Sequence, residues 1–130
     1  MSYPDGVPSP GSTVEAARDS GLTVTVHNNG EAVVLEVGGE VDLLTVPPLR
    51  DAVMKALQSH PPVLVLDLLS VHFFGSSGLA MLLEAQQFAG EHTRLRVVAD
   101  GPATRRPLQI TGLDQQLDLY PTREDALRNA

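Results

Sequence analysis

Between positions 22 and 27 the chain alternates strictly, Leu22-Thr-Val-Thr-Val-His, with apolar residues on one side and polar ones on the other. A period of two marks a β-strand with one buried face. Asn28-Asn29-Gly30 supplies residues that tolerate positive φ, and apolar content resumes over Ala32–Val37. The pair predicts a β-hairpin, ended by Gly38-Gly39. From Val46 the period lengthens. Val46, Leu49, Val53, Ala56 and Leu57 share one helical face, and Arg50, Asp51, Lys55 and Gln58 share the other. Thr45 is placed to cap this helix, Pro47 and Pro48 fall in its first turn, and His60-Pro61-Pro62 stops it.

Val63-Leu-Val-Leu-Asp-Leu is a continuous apolar run that suits a central strand covered on both faces. Helical spacing returns over residues 76–89, with Leu79, Leu82 and Leu83 facing inward, Ala85 and Phe88 as further inward candidates, and Gly90 as the stop. Leu95–Ala99 reads as another strand. Pro102–Thr111 reads as helical up to Gly112, and Pro107 predicts a kink or a short helix there. Leu117–Tyr120 is a short last strand, and Thr122-Arg-Glu-Asp125 is a capping-box variant opening a final helix. This order predicts an α/β domain with a mixed sheet of about five strands, an N-terminal antiparallel hairpin and about four helices. Strands joined through helices pair in parallel by right-handed crossovers.

Residues 1–20 hold Pro4, Pro8, Pro10, Gly6 and Gly11 with little apolar content. They predict a flexible tail, with at most a weak helix over Thr13–Asp19, ahead of one domain over 21–130. The chain's 130 residues, 42% hydrophobic and 19% charged, suffice for a single core. Sixteen acidic residues against nine basic leave a net charge of −7, which argues against a nucleic-acid binder, because phosphate neutralisation needs clustered Lys and Arg. Without cysteine there is no disulfide framework and no thiolate metal site. No apolar run approaches the roughly 20 residues of a membrane span. Met1-Ser-Tyr-Pro-Asp-Gly has neither the basic residues nor the apolar stretch of a secretory signal, so a cytoplasmic protein is expected.

The chemistry concentrates at Gly75-Ser76-Ser77-Gly78, where a buried strand gives way through a short loop to a helix. The first helical turn leaves backbone N–H groups unpaired, and the helix dipole adds partial positive charge there. Ser76 is expected to cap these groups, with the Ser77 hydroxyl close to solvent. Three functions could use such a hydroxyl. A hydrolase nucleophile elbow needs glycines two residues away on each side and a histidine base, but the glycine spacing differs and His72 is too near in sequence. A P-loop needs a longer glycine loop ending in Lys-Ser/Thr, and this segment has no lysine. Ser77 could instead be a kinase substrate, since a helix N-terminus tolerates the roughly −1.5 to −2 charge of a phosphate. Against all three stands plain helix capping by Ser76 and Ser77.

Gly39-Glu-Val-Asp-Leu-Leu-Thr-Val-Pro-Pro-Leu-Arg resembles the Gly-Glu-x-Asp…Leu-Arg segment of STAS domains, specifically bacterial anti-sigma factor antagonists. Asp67-Leu-Leu-Ser-Val-His-Phe-Phe-Gly-Ser-Ser-Gly-Leu is similar to that family's Asp-Leu-x-x-Val-x-Phe-x-Asp-Ser-Ser-Gly-Leu signature. The resemblance implies a regulator without catalysis, cofactor or metal. Such an antagonist binds an anti-sigma factor that is also a serine kinase of the histidine-kinase-like ATPase fold, and so frees a sigma factor. The kinase phosphorylates the serine matching Ser77 (Ser76 is the lesser candidate), the complex separates, and a phosphatase resets it. The partner surface would comprise Glu40, Asp42, Gly75, Ser76, Ser77 and Gly78. Glu40 and Asp42 read equally well as a polar loop that helps to cap the next helix. Ala80, Met81 and Glu84 fall off the inward face of the 76–89 helix, which would expose Met81 beside Ser77 as a further contact. Gly75 departs from the family's Asp, removing a charge and adding backbone freedom. That departure leaves two alternatives open: an antagonist insensitive to phosphorylation, and a phosphorylation-independent STAS subunit docked on the ATPase of a transport complex. Arg105-Arg106 read as a solvated basic pair rather than a patch for an acidic partner.

Overall fold

The computed structural model describes residues 21–128; the expected tail over 1–20 lies outside them. β1 (Leu22–Asn29) and β2 (Ala32–Val41) form the antiparallel hairpin, followed by α1 (Val46–Gln58), β3 (Val63–Phe74) and α2 (Ser76–Ala89). β4 (Arg94–Val98), α3 (Arg105–Thr111), a single 3-10 turn at Leu113–Gln115, β5 (Asp118–Tyr120) and α4 (Arg123–Arg128) complete the order. The sheet runs β1-β2-β3-β4-β5, and every pair after the hairpin is parallel. This is the mixed five-stranded sheet with four helices that the apolar periods imply.

Alternation along β3 divides the interior. Leu64, Leu66 and Leu68 join Leu49, Val53 and Leu57 of α1, Leu82 and Ala85 of α2, and Leu108 of α3 in the main core. Val63 and Val65 belong to a smaller cluster with Val34, Val98 and Ala126, so α4 covers the opposite face. Arg123 ties α4 down: its Nε donates to Asp67 Oδ2 at 2.8 Å, and its Nη2 lies 3.2 Å from Glu36 Oε1. Thr122 Oγ1 accepts the Asp125 N–H at 3.1 Å, the capping contact expected of that sequence. Among the described residues no helix is long and apolar enough to cross a membrane.

Two local expectations are corrected. β2 does not stop at Gly38-Gly39 but continues to Val41, paired with an equally extended β3 that replaces the expected loop. Register shifts lie between Glu36 and Gly38 and between Gly39 and Glu40. Gly39 has φ +96°, and a Cβ there would fall 1.8 Å from the Gly21 carbonyl oxygen. Bulges at a residue free to take positive φ let the ladder bend and go on. Second, α2 is rotated by one position. It buries Gly78, Met81, Leu82, Ala85 and Ala89, leaves Leu79 and Leu83 half-buried, and turns Phe88 outward at 53% exposure. Gly78 sets this face, since a Cβ there would lie 2.8 Å from the Phe74 ring and 2.9 Å from Val41 Cγ1. The helix presses its bare backbone on the sheet at Gly78, and Met81 follows one turn later at 3% exposure. Met81 is a core residue, not the surface contact the apolar spacing suggested. At Pro107 the short helix that was one of the two expected outcomes is found: Pro107 is the third residue of α3, within the first turn, where a missing N–H costs little.

Candidate functional site

The site is built where β2 and β3 end side by side. Val41 pairs with Phe74, and the carbonyl of Val41 accepts the N–H of Gly75 at 2.9 Å. The turn after β2 is therefore held beside the start of α2. Asp42 organises that turn. Its Oδ1 accepts the N–H groups of Leu44 (2.9 Å) and Thr45 (3.1 Å), and its own N–H donates to Thr45 Oγ1 at 2.9 Å. These contacts form a side-chain-stabilised turn ahead of α1, and the Asp42 carbonyl accepts the N–H of Val46, the first helical residue, at 2.9 Å. Thr45 caps no helical N–H itself; its buried hydroxyl donates to the Glu40 carbonyl at 2.8 Å. Neither Thr45 nor Asp42 gives α1 a side-chain cap; Asp42 holds the turn that precedes the helix.

α2 opens without a side-chain cap. Gly75 is its N-cap at φ −87°, ψ −176°, and its carbonyl accepts the N–H groups of Gly78 (3.0 Å) and Leu79 (3.2 Å). Ser76 is the first helical residue rather than the cap, and Ser77 is the second. Extended backbone at Gly75 is open to any residue, so the positive-φ freedom expected of that glycine is not used. Ser76 is exposed and Ser77 half-buried.

Asp42, Gly75, Ser76 and Ser77 line a shallow depression of about 290 Å³ together with Leu43, Leu44 and Phe73. Leu43 and Leu44 are 80% and 82% exposed, and Phe73 is 53% exposed. Apolar side chains left so open at one place are the usual mark of a binding surface. Neither leucine nor Phe73 was singled out from the sequence. The signal was there: Leu43-Leu44 falls between two polar residues outside both apolar periods. Glu40 is exposed but does not line the depression, Gly78 is buried against Phe74 and Val41, and Met81 is in the core. Among the described residues no histidine, lysine or arginine lines it. Arg50 of α1 and Glu84 of α2 are paired elsewhere on these helices, with Nε to Oε1 at 2.7 Å. The Arg50 guanidinium holds the Glu84 carboxyl below its ordinary range.

A family model described as "Mlab, STAS domain" matches residues 24–121. The anti-sigma-F factor antagonist RsfB of Mycobacterium tuberculosis is 41% identical over 112 residues, covering 86% of this chain and 91% of RsfB. The crystal structure of an anti-sigma factor antagonist from Mycobacterium paratuberculosis superposes with a TM-score of 0.81 at 44% identity, covering 83% of this chain and 92% of the other. The anti-sigma factor antagonist SpoIIAA in its unphosphorylated form shares the fold, with a TM-score of 0.68 at 20% identity over 82% of this chain and 95% of SpoIIAA. The two separated motifs, the sheet order and these likenesses agree: the chain belongs to the STAS domain family, with the anti-sigma factor antagonists.

Proposed function

We propose that this chain binds an anti-sigma factor, itself a serine kinase of the histidine-kinase-like ATPase fold, and that phosphorylation of Ser77 ends the association. The observation that carries this reading is the position of Ser77, second in an uncapped helix, half-exposed and rimmed by Leu43, Leu44 and Phe73. Unmodified, the rim offers apolar area to a partner, with Asp42 and Ser76 in the same surface and Glu40 at its edge. A phosphate on Ser77 adds roughly −1.5 to −2 charge. The open N–H groups of the first turn tolerate it, so α2 stays folded. Burying that charge against an apolar partner is costly, so the complex separates. A phosphatase then restores the binding state.

The test is incubation of the chain with each kinase-fold anti-sigma protein of its host and ATP, followed by intact mass and peptide mapping. One phosphate on the peptide carrying Ser77, absent in Ser77→Ala, supports the reading. Label that persists in Ser77→Ala moves the site to Ser76 or elsewhere. A second reading has Gly75 in its favour, since the family motif carries Asp there: a STAS subunit docking on a transport ATPase without phosphorylation. Capture of such an ATPase, with no phosphate incorporated, would select it.

A further inference from the structure

β1 stands at the edge of the sheet, and among the described residues no strand pairs with its outer side. Such edges are usually blunted by charge, proline or a bulge. Leu22–Asn29 holds no Lys, Arg, Asp, Glu or Pro, in a chain of net charge −7, and its ladder with β2 runs without a register shift. The Gly21 carbonyl accepts the Glu40 N–H at 3.1 Å, so odd-numbered residues turn their backbone groups toward β2. Leu22, Val24, Val26 and Asn28 therefore direct N–H and C=O groups outward. Beside this edge lies a slot of about 380 Å³ between the hairpin and α1. Val26, Val33 and Leu35 line it from the sheet, and Ala52, Lys55 and Ala56 from the helix.

We infer that the β1 edge is a self-association surface, on which a second copy of this chain pairs antiparallel through its own β1 about a two-fold axis at Thr25. A two-fold perpendicular to the sheet keeps the core-facing side of one copy with that of the other. With the axis at Thr25 every outward group is engaged: Val24 meets Val26 of the second copy, and Leu22 meets its Asn28. An axis at Val24 or Val26 would leave some of these groups unbonded. The two copies also fit in thickness and charge. α1 crosses back between the parallel strands β2 and β3, so it runs in the direction of β1. Its early turns lie toward the buried Leu22 and Val24, and its late turns border the open slot. The two-fold reverses one copy, so the covered half of each lies against the open half of the other. The Lys55 end of one α1 then faces the Asp51 end of the other, opposite charges meeting twice, while no like charges oppose along the strands. The flanking β2 strands would stand roughly 14 Å apart, three strand spacings, a gap for long side chains such as Lys55. β3 and α2 lie inward of β2, so both Ser77 surfaces stay open in the pair. The pairing does not depend on the antagonist reading.

The experiment is analytical ultracentrifugation of the full unphosphorylated chain from low to high micromolar concentration, beside Thr25→Lys, Thr25→Glu and an equimolar mixture of the two. Thr25 is half-buried on the sheet face away from the main core, so both variants should fold, which thermal melts check. The wild type is expected to reach twice the monomer mass. Each variant alone should dimerise at least about tenfold more weakly, because like charges meet at the axis, and mixing should restore association through a Lys–Glu pair. Hydrogen exchange of the wild type needs no variant: the Val24 and Val26 N–H groups should slow as concentration rises. A wild type that stays monomeric, a dimer indifferent to both variants, or a mixture no better than its parts overturns the inference. So does protection of Val24 and Val26 that is equal at every concentration, since a segment of the same chain would then cover the edge.

Discussion

The N–H of Gly75 donates to the carbonyl of Val41 at 2.9 Å, so the last residue of β2 and the cap of α2 are one hydrogen-bonded unit. Two motifs more than thirty residues apart in the chain meet through this bond. It brings Asp42–Leu44 to the same surface as Ser76 and Ser77, and the behaviour of the site follows from how firmly each side is held.

Asp42 holds one side. Asp42→Ala removes the acceptor for two backbone N–H groups, Leu44 and Thr45. A loss of about 1 kcal/mol in urea unfolding is expected, the usual scale of a lost hydrogen bond, with Asp42→Asn retaining most of the stability. The same change should weaken partner binding, because Leu43 and Leu44 lose their fixed position. An Asp42→Ala protein as stable as the wild type would show that the turn is held by other means.

Met81 tests the rotation of α2. Buried at 3% exposure, it should cost about 2–5 kcal/mol on truncation to Ala, whereas a surface methionine would cost within about 0.5 kcal/mol. Gly78→Ala should cost about 1–3 kcal/mol by overpacking against Phe74 and Val41. Denaturant melts of the two variants decide the matter, and a neutral Met81→Ala would restore the outward placement.

Glu36 gives a pH signature on the far face of the sheet. A hydrogen bond from His27 at 3.0 Å, opposed by partial burial and aided by Arg123, holds its carboxyl below the ordinary 4.5. A depressed carboxylate stabilises the fold above its unfolded value, and the contribution disappears as pH falls through the folded value. Glu36→Gln should therefore lower the melting temperature near neutral pH, and the gap to the wild type should close as pH falls below 4.5. Glu36 is over a third exposed, so the effect should stay under about 1 kcal/mol. A gap that is constant across this range would contradict the pairing.

Much of this was legible in the chain. Leu22–His27 and Val63–Leu68 declare themselves by period and length, and the Gly-Glu-x-Asp and Ser-Ser-Gly-Leu segments mark the site before any geometry is known. The face of α2 was not legible, because a helix reads its apolar side from side chains, and Gly78, the residue in tightest contact, has none. Gly38-Gly39 likewise reads as a terminator when it is a bent stretch of continuing strand. The exposed Leu43, Leu44 and Phe73 escape a reading by periodicity for a related reason. Apolar residues are assumed inward, and only the tertiary placement of Asp42 beside Gly75 turns these outward together.

The most direct measurement compares the affinity of the host anti-sigma factor for the unmodified chain and for the chain carrying phosphoserine at position 77, with Ser77→Ala as control. A switch at this site predicts that the phosphorylated form binds at least about a hundredfold more weakly, close to 3 kcal/mol, while Ser77→Ala binds like the wild type. Equal affinity of the phosphorylated and unmodified chains for a factor that both bind would contradict it.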